Sequence, residues 1–226
     1  ALIATERVWV NGRWAPHHQP LQSGDRVEAD LPPPRATKIR PQDLPLDILY
    51  QDADIVVLNK APGLLMHPAH GHPDGTAANA LVHHCPDLII DNERRPGLVH
   101  RLDRYTSGVL VVAKNSRAMK LLARQFKRRD VAKEYLALVW GRPDPPGETL
   151  QTLIGSDPDD SRRMAVPGVE GRTAITHYAV ERAVGRWTLV RVRIETGRTH
   201  QIRVHLAYRG FPVVGDRVYG RAREGA

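Results

Sequence analysis

One cysteine, Cys85, occurs in the whole chain, and no apolar run approaches the roughly 18 residues needed to cross a bilayer. A lone thiol excludes an intrachain disulfide framework, so the sequence favours a reducing compartment and we expect a cytoplasmic protein. The first residues, with Glu6 and Arg7 inside a short apolar stretch, show no pattern of a cleaved signal peptide. We therefore expect no membrane partner.

Several motifs of nucleotide, nucleophile and metal chemistry are also missing. The chain has no Gly-x-x-x-x-Gly-Lys or Gly-x-Gly-x-x-Gly loop, no Gly-x-Ser-x-Gly elbow and no paired-cysteine motif. His67, His70 and His72 lie close together, but their loop is rich in glycine and proline, holds no cysteine and lacks His-Glu-x-x-His spacing. We expect neither a metal nor a cofactor.

Basic residues exceed acidic ones, with 33 lysines and arginines against 25 aspartates and glutamates and a net charge of +8. Only six of the 33 are lysines, which leaves 27 arginines. The planar guanidinium group binds phosphate with two hydrogen bonds and stacks on bases, so this balance favours RNA as the partner. A merely solvated basic surface is the alternative, because arginine content also follows the base composition of the coding sequence.

Three consecutive prolines at positions 32–34 mark a change along the chain. Before them, short alternating segments around Asn11-Gly12 predict small β elements with a tight turn. Prolines cannot continue a helix or a central strand, so we expect a semi-rigid linker. We assign residues 1–34 to an N-terminal module, 35–45 to a linker and 46–226 to a main domain, for which a hydrophobic content of 41% supplies a core.

Runs rich in β-branched residues predict the strands of the main domain. We expect a buried strand at 55–60, an alternating strand at 132–141, and an antiparallel hairpin formed by 174–182 and 187–196. Residues 142–172, rich in proline, glycine and aspartate, should form loops with one short hairpin near 153–155 and 164–166. The tail at 213–220 should add one edge element.

A polar loop with one acid, Asp103, precedes the apolar run Val109-Leu110-Val111-Val112. Arg101 and Arg104 flank the acid, and opposite charges nearby favour its ionised form. Such a carboxylate supports nucleophilic or general-base chemistry. The alternative is an ion pair that only holds the loop together.

Three helices are expected from capping residues and from three-four spacing of apolar residues. Thr76 should cap residues 77–83, Ser116 a second helix, and Thr199 residues 200–207. The second helix should bury one face and expose the other. The buried face should consist of Met119, Leu122, Ala123 and Phe126, and the exposed face of Arg117, Lys120, Arg124, Lys127 and Arg128. Its basic face is either a solvated surface or a contact for phosphate.

Two further places carry side chains suited to RNA. Lys133 and Tyr135 are two residues apart on a predicted strand and therefore share one face. This pair is either a platform on which a base stacks or ordinary packing. Arg203 lies on the first turns of the last predicted helix, near its positive end.

The motif His100-Arg101-Leu102-Asp103-Arg104-x-Thr106-Ser107-Gly108 closely resembles the catalytic motif of RluA-type pseudouridine synthases. Further blocks look like the family's remaining motifs in the same order: Asn59-Lys60-x-x-Gly63 with His67-Pro68 and Gly75-Thr76, Asn79-Ala80-Leu81, Lys133-x-Tyr135-x-Ala137-x-Val139-x-Gly141, Met164-Ala165-Val166, Thr196-Gly197-Arg198-Thr199-His200-Gln201-Ile202-Arg203-Val204-His205, and Val214-Gly215-Asp216-x-x-Tyr219-Gly220. The resemblance covers residues 46 to 221. The N-terminal strip is similar to the end of an alpha-L RNA-binding module, so we expect a partial module there.

The resemblance implies an α+β domain with a central mixed, largely antiparallel sheet, flanking helices and a cleft across the sheet. It also implies an isomerase that converts specific uridines of structured RNA to pseudouridine without a cofactor. Large-subunit ribosomal RNA is the expected substrate, with tRNA as a second candidate, and we expect a monomer.

The same resemblance assigns roles to residues at matching positions. Asp103 is the nucleophile or base, Tyr135 lies against the target uracil, and Arg203 pairs with Asp103. Tyr135 is also the candidate for removing the proton from carbon 5. Arg101 should fill the gap left by an extruded uridine. Further RNA contacts are expected from His100, Arg104, Lys133 and Arg198.

Two other functions stay open on the residues alone. A non-catalytic RNA-binding or ribosome-assembly protein on the same scaffold would have no need to keep an acid in a cleft that faces phosphate. An aspartate-dependent glycosidase would need a second carboxylate, and none is paired with Asp103 in the sequence.

Overall fold

The computed structural model describes residues 7–16, 18–30, 39–69, 71–88, 96–160, 163–167 and 169–220. Contacts between Cα atoms divide the chain into two compact units, Ala1–Lys38 and Ile39–Ala226. Residues 31–38, which include the three prolines, lie outside the described part, so the boundaries proposed for the module and linker stay a prediction. No helix among the described residues is long and apolar enough to span a membrane.

The first unit is a small antiparallel sheet in the order β2-β1-β3, formed by β1 (Val8–Val10), β2 (Arg13–Trp14) and β3 (Val27–Ala29). Asn11 and Gly12 form the two-residue turn between β1 and β2, and both have positive φ, at 52° and 76°. Two positive φ angles are what a tight hairpin turn with the right strand twist requires. The predicted small β elements are confirmed, while RNA binding by this unit stays a prediction.

The described residues of the second unit form two antiparallel sheets. The three-stranded sheet has the order β4-β5-β6 and the five-stranded sheet the order β7-β11-β10-β8-β9. Their strands are β4 (Asp47–Gln51), β5 (Ile55–Lys60), β6 (Gly108–Ala113), β7 (Glu134–Trp140), β8 (Gly147–Ser156), β9 (Met164–Ala165), β10 (Val169–Val184) and β11 (Trp187–Ile194). With three helices beside them, these sheets confirm the α+β class, although the hydrogen bonds divide the strands between two sheets instead of one.

The three helices are α1 (Ala77–His84), α2 (Ser116–Arg128) and α3 (Gln201–Tyr208). Thr76 is the N-cap of α1, as predicted. The cap of α2 is Asn115 and not Ser116, because the Asn115 side chain accepts a hydrogen bond from the Ala118 amide at 2.9 Å. The N-cap of α3 is His200, with φ 55°, and not Thr199.

The apolar face of α2 differs from the prediction at one position. Met119, Leu122 and Phe126 are partly buried, and Ala118 is buried in place of Ala123, which is exposed. The five cations predicted on the other side are all exposed. The basic face of α2 is therefore a surface of the protein, as its spacing predicted.

The ten-residue strand β8 lies within residues 142–172, which were expected to form mostly loops. Its alternate side chains Leu150 and Ile154 are buried, and it pairs with β10 over most of its length. Thr152 on the inner face and the exposed Leu153 on the outer face, together with the proline- and glycine-rich flanks, hide the alternation in the sequence. The short hairpin is confirmed, since β8 pairs with β9 at Gly155↔Ala165.

The hairpin of β10 and β11 is confirmed, with Val184 opposite Trp187 and a two-residue turn at Gly185. The predicted edge element in the tail is a short one. Val213 bridges Val139 at the free edge of β7, and the amide of Val214 donates to the carbonyl of Leu138 at 2.8 Å. The tail then turns back across the sheet.

Two clusters of buried side chains hold the elements that carry the site. Val56 and Leu58 of β5 pack with Leu110 and Val112 of β6 and with Leu81 of α1. The second cluster packs β7, β10 and β11 against α3 through Val139, Tyr178, Val190, Val192 and Leu206. The first cluster fixes the strand that follows Asp103, and the second fixes the helix that carries Arg203.

Gly97 sets the position of the segment that leads into the Asp103 loop. Its φ is 62°, and a Cβ atom there would lie 2.0 Å from the carbonyl oxygen of Ala113 and 2.8 Å from Cγ1 of Val112. The amide of Ala113 donates to the carbonyl of Gly97 at 2.9 Å. Only glycine allows the segment to lie this close to β6.

We predict that Gly97→Ala lowers the free energy of unfolding by about 3 kcal/mol, because the methyl group would meet backbone atoms in addition to the strain of positive φ. Gly185→Ala is the matched control: its φ is 58°, but its Cβ would meet no described atom within 4 Å, so only about 1 kcal/mol is expected. Urea unfolding measures both. Equal losses would show that the close approach at Gly97 contributes nothing.

Candidate active site

Asp103 begins a tight turn that the surrounding backbone holds in place. The amide of Thr106 donates to the carbonyl of Asp103 at 3.1 Å, which leaves Arg104 and Tyr105 as the central residues of the turn. Gly63 and Arg104 bond to each other twice: the Gly63 amide donates to the Arg104 carbonyl at 2.8 Å, and Arg104 Nε donates to the Gly63 carbonyl at 3.1 Å. The acid is therefore presented on a fixed loop.

Lys60, at the end of β5, supports this turn from inside the protein. It is 2% exposed, and its ammonium group donates to the carbonyls of Ala61 at 2.8 Å, Leu64 at 2.9 Å and Arg104 at 3.0 Å. Burial lowers the pKa of Lys60, and the negative charge of Asp103 opposes that shift. Because its three N–H groups donate to three carbonyls, Lys60 holds the backbone of the loop in position.

Arg203 of α3 connects Asp103 to a second acid, Asp216. Its Nε and one terminal nitrogen form a fork to Asp216 at 2.7 and 2.9 Å, and its other terminal nitrogen donates to Asp103 Oδ2 at 3.3 Å. The other carboxylate oxygen of Asp103, Oδ1, receives no hydrogen bond from a described residue. The predicted Asp103–Arg203 pair thus lies within contact distance, but Asp216 holds most of the guanidinium group.

The surroundings of Asp216 favour the ionised form of its side chain. Its side chain is only 3% exposed, and it also accepts hydrogen bonds from the amides of Val218 and Tyr219 at 2.9 and 3.1 Å. Burial would raise the pKa of Asp216, but the hydrogen bonds from Arg203 and from these amides outweigh burial, so the pKa lies below its usual range. Asp216 is therefore ionised and fixes the orientation of Arg203.

Tyr219 completes the surroundings of Arg203. The Arg203 guanidinium carbon lies 5.0 Å from the centre of the Tyr219 ring. The Tyr219 hydroxyl accepts a hydrogen bond from the amide of Met164 at 2.9 Å and lies 2.8 Å from His200 Nδ1. Burial is the main cause that raises the pKa of Tyr219 and lowers that of His200, so both are neutral at pH 7. The segment that carries Asp216 and Tyr219 thus lines one side of the site.

Tyr135 lies on β7, where it pairs with Val192 of β11 and is partly buried. Burial raises the pKa of Tyr135, and the negative charge of Asp103 raises it further. The charge of Asp103 therefore reaches the phenol, which is neutral at pH 7. The structure brings together the three residues predicted to be catalytic, Asp103, Tyr135 and Arg203.

Lys133 and Arg198 lie near each other beside this group. Lys133 donates to the carbonyl of Glu195 at 3.0 Å, and burial, followed by the positive charges of Arg129 and Arg198, lowers its pKa. Arg198 donates through Nε to the carbonyl of Thr173 at 3.0 Å. Arg198 also lines a groove of about 310 Å³ with Ser156, Arg172 and Thr199 among its neighbours. Both predicted RNA-contact residues therefore lie at the edge of the site, and each already donates one hydrogen bond to a backbone carbonyl.

His100 faces the interior and not the surface. Its Nε2 accepts a hydrogen bond from the amide of Val111 at 3.0 Å, and its ring stacks on Phe126 with centres 4.8 Å apart. Burial, with a smaller effect from the charge of Lys133, lowers the pKa of His100 to about 4. His100 is neutral and joins the Asp103 loop to α2, and its predicted contact with RNA stays a prediction.

Arg101 and Arg104 are both exposed. Arg101 makes no hydrogen bond or ion pair with any described residue, while Arg104 uses Nε on Gly63 and places its guanidinium carbon 5.4 Å from the centre of the Tyr105 ring. Of the two, Arg101 is the side chain available to an incoming ligand.

No three acidic, histidine or cysteine side chains lie together as metal ligands would, within the part of the chain that the structure describes. His70 lies outside that part. The expected absence of a metal stays an expectation.

Three residues that organise the site, Lys60, Asp216 and Tyr219, carried no predicted role, although all three belong to the motif blocks. For Lys60 a signal was present: Val56, Leu58 and Lys60 alternate on β5 and are all buried. A lysine at an inward position of a strand indicates a paired or functional charge. No local pattern connects Asp216 or Tyr219 to Arg203.

Comparison with known proteins agrees with this geometry. A family model described as RNA pseudouridylate synthase matches residues 54–208. An uncharacterized RNA pseudouridine synthase of Chloroflexus aurantiacus is 49% identical over 222 residues, which cover 98% of this chain and 70% of that protein. Ribosomal large subunit pseudouridine synthase D of Escherichia coli O157:H7 is 42% identical over 219 residues, covering 96% of this chain and 66% of that protein.

A solved structure has the same fold. Human RNA Pseudouridylate Synthase Domain Containing 1 matches with a TM-score of 0.65 and 30% sequence identity, over 85% of this chain and 74% of that chain. The family and the enzyme class predicted from the motifs are thereby confirmed. The chain belongs to the RNA pseudouridylate synthase family and is an RNA pseudouridine synthase.

Proposed function

We propose that this protein isomerises uridines of large-subunit ribosomal RNA, with Asp103 as the nucleophile or base. The substrate class is supported by the similarity to ribosomal large subunit pseudouridine synthase D over 96% of this chain. The role of Asp103 is supported by one observation above all: Arg203 touches only one of its carboxylate oxygens, while Asp216 holds the rest of the guanidinium group. Work on ribosomal RNA implies a cytoplasmic protein.

The reaction breaks the bond between uracil N1 and ribose C1′, turns the base and forms a bond from C5 to C1′. N1 gains a proton and C5 loses one, so the atoms balance without a second substrate. The carboxylate of Asp103 acts at the start, by attack on the sugar or on the ring, and Oδ1 is the oxygen left available for it. Arg203 orients the acid through Oδ2.

Tyr135 is suited to lie against the uracil, because its ring is partly buried beside Asp103. Its raised pKa keeps the phenol protonated at pH 7. The phenol oxygen can therefore take the proton from C5 only if it releases its own proton in the same step.

A stacked uridine must leave its helix before Asp103 can reach it, which costs a few kcal/mol of unstacking. Arg101 is an exposed side chain beside Asp103 that makes no hydrogen bond or ion pair with a described residue, and it would fill the gap in the RNA. Asp103, Tyr135 and Arg203 all come from one chain, so a monomer contains the whole proposed site.

We predict that Asp103→Asn abolishes release of tritium from ribosomal RNA labelled at uridine C5, with a fall in rate of at least about 10³-fold. RNA affinity should change by no more than a few-fold, because the amide has the same size. Asp130→Asn, at an exposed position after α2, is the matched control and should retain full activity.

Large-subunit ribosomal RNA, small-subunit ribosomal RNA and tRNA are assayed in parallel. Release from tRNA alone would refute the proposed substrate. Undiminished release by the Asp103 variant would refute the role of the acid.

Asp216 is a positioning residue that acts through Arg203. We predict that Asp216→Asn lowers kcat by about 10- to 100-fold with little change in KM, because Arg203 loses its fork and moves relative to Asp103. A purely structural role would lower the amount of folded enzyme without changing kcat per folded molecule, so activity is normalised to the folded fraction.

The same variant tests the charge of Asp216. Because its pKa is lowered on folding, the ionised carboxylate stabilises the folded state above the unfolded pKa of about 3.9. Wild type should be more stable than the variant at pH 7, and this advantage should shrink as the pH falls below about 4. Urea unfolding of both proteins from pH 3 to 7 measures the difference, and an advantage that does not vary with pH would contradict it.

A further inference from the structure

Five exposed cations of α2, namely Arg117, Lys120, Arg124, Lys127 and Arg128, form a surface that we call the α2 basic face. The helix contains no acidic residue. None of the five forms an ion pair with a residue that the structure describes. The α2 basic face carries five positive charges on a helix about 20 Å long.

Part of this arrangement is unfavourable for the isolated protein, although Lys127 and Arg128 lie in the last turn, where the helix dipole favours cations. Lys120 and Arg124 are four residues apart, as are Arg124 and Arg128, and like charges at this spacing destabilise a helix. Arg117 stands in the first turn, at the positive end of the helix. A polyanion bound along the face would remove this repulsion.

Two other exposed arginines have acidic partners. Arg129, directly after α2, pairs with Glu195 at 3.6 Å, and Arg191 of β11 pairs with Glu134 and Glu181. The cations of the α2 basic face differ from these two in having no acidic partner among the described residues.

The helix is also fixed to the reactive loop. Phe126, on the buried side of α2, stacks on His100, which stands three residues before Asp103. Asn115, the cap of α2, follows closely after β6 and donates to Asp54 Oδ1 at 2.7 Å. An RNA strand held on the α2 basic face would therefore be held in a defined position relative to Asp103.

We propose that the α2 basic face binds the phosphate backbone of the RNA that flanks the target uridine. The proposal rests on the proposed function for the kind of RNA that is bound. It assigns these residues to holding the substrate and not to the chemical step.

The test replaces three central cations with a residue of similar helix propensity, in the variant Lys120→Gln, Arg124→Gln, Lys127→Gln. Affinity for a large-subunit ribosomal RNA fragment is measured from 50 to 200 mM salt, together with kcat and KM for tritium release. We expect weaker binding and a higher KM at unchanged kcat. The slope of log affinity against log salt should become less steep by about 2, since each lost phosphate contact removes about 0.7.

The matched control removes the same charge elsewhere, as Arg142→Gln, Arg182→Gln, Arg186→Gln. These exposed arginines lie near the ends of β7 and β11 opposite to Lys133 and Tyr135. The control should leave both affinity and slope unchanged. Equal effects of the two triple variants, or no effect of the first, would overturn the proposal. If wild type released no tritium, the proposed function would fail, while the two slopes would still decide the role of α2.

A second, independent observation concerns Tyr105. It is 72% exposed, although it is a central residue of the turn that begins at Asp103 and that Lys60 and Gly63 hold from inside. A rigid turn thus presents an aromatic ring to solvent two residues from the reactive acid. The guanidinium group of Arg104 supports the ring at 5.4 Å.

The geometry points to Tyr105 as a stacking surface for the base of a nucleotide next to the target uridine. Bases stack on aromatic rings with little dependence on sequence, so Tyr105 would position RNA and not choose its target. This inference also rests on the proposed function.

Tyr105→Ala should raise KM for the RNA by about 5- to 100-fold at nearly unchanged kcat. Tyr105→Phe, which keeps the ring, should stay within about twofold of wild type. Tyr208→Ala removes another exposed tyrosine, 58% exposed at the end of α3, and should have no effect. An equal loss in the alanine and phenylalanine variants, or no loss in either, would overturn the role of the ring.

Discussion

Arg203 lies between the carboxylates of Asp103 and Asp216, which differ in how many of their oxygens accept hydrogen bonds. Asp216, nearly buried, takes two of its nitrogens and two backbone amides, so its oxygens are fully occupied. Asp103 receives one hydrogen bond at 3.3 Å. Asp216 thus receives four hydrogen bonds, whereas Oδ1 of Asp103 receives none from a described residue, and the positive charge of Lys60 also acts on Asp103. The arrangement thus orients Asp103 through Oδ2 alone.

The loop that carries Asp103 has an inner side that is hydrogen-bonded to the protein and an outer side that faces solvent. Lys60 and Gly63 bond to the carbonyl of Arg104 from inside, and Arg104 is the side chain of this turn that returns a hydrogen bond, to Gly63. Arg101 and Tyr105 are then free to face solvent. Since no hydrogen bond from Arg101 or Tyr105 to a described side chain holds the loop, these two side chains can be adapted to an RNA without changing the position of Asp103.

Much of this architecture could be read from residue patterns, and the reasons for the exceptions are physical. Strand β5 and the β10–β11 hairpin have clear periodicity and turn residues, and the motif around Asp103 identified the family. Strand β8 was missed because Thr152 on its inner face and the exposed Leu153 on its outer face break the alternation, between proline-rich flanks. The fork from Arg203 to Asp216 was missed because it depends on how the tail folds back onto α3, which no local spacing encodes.

The separation of Asp103 and Arg203 by 100 positions has a consequence for synthesis of the chain. While a ribosome is still adding residues before α3, Asp103 is already part of the chain but has neither Arg203 nor the segment that holds Arg203. The arrangement around Asp103 therefore forms only once α3 and the residues up to Asp216 have been added.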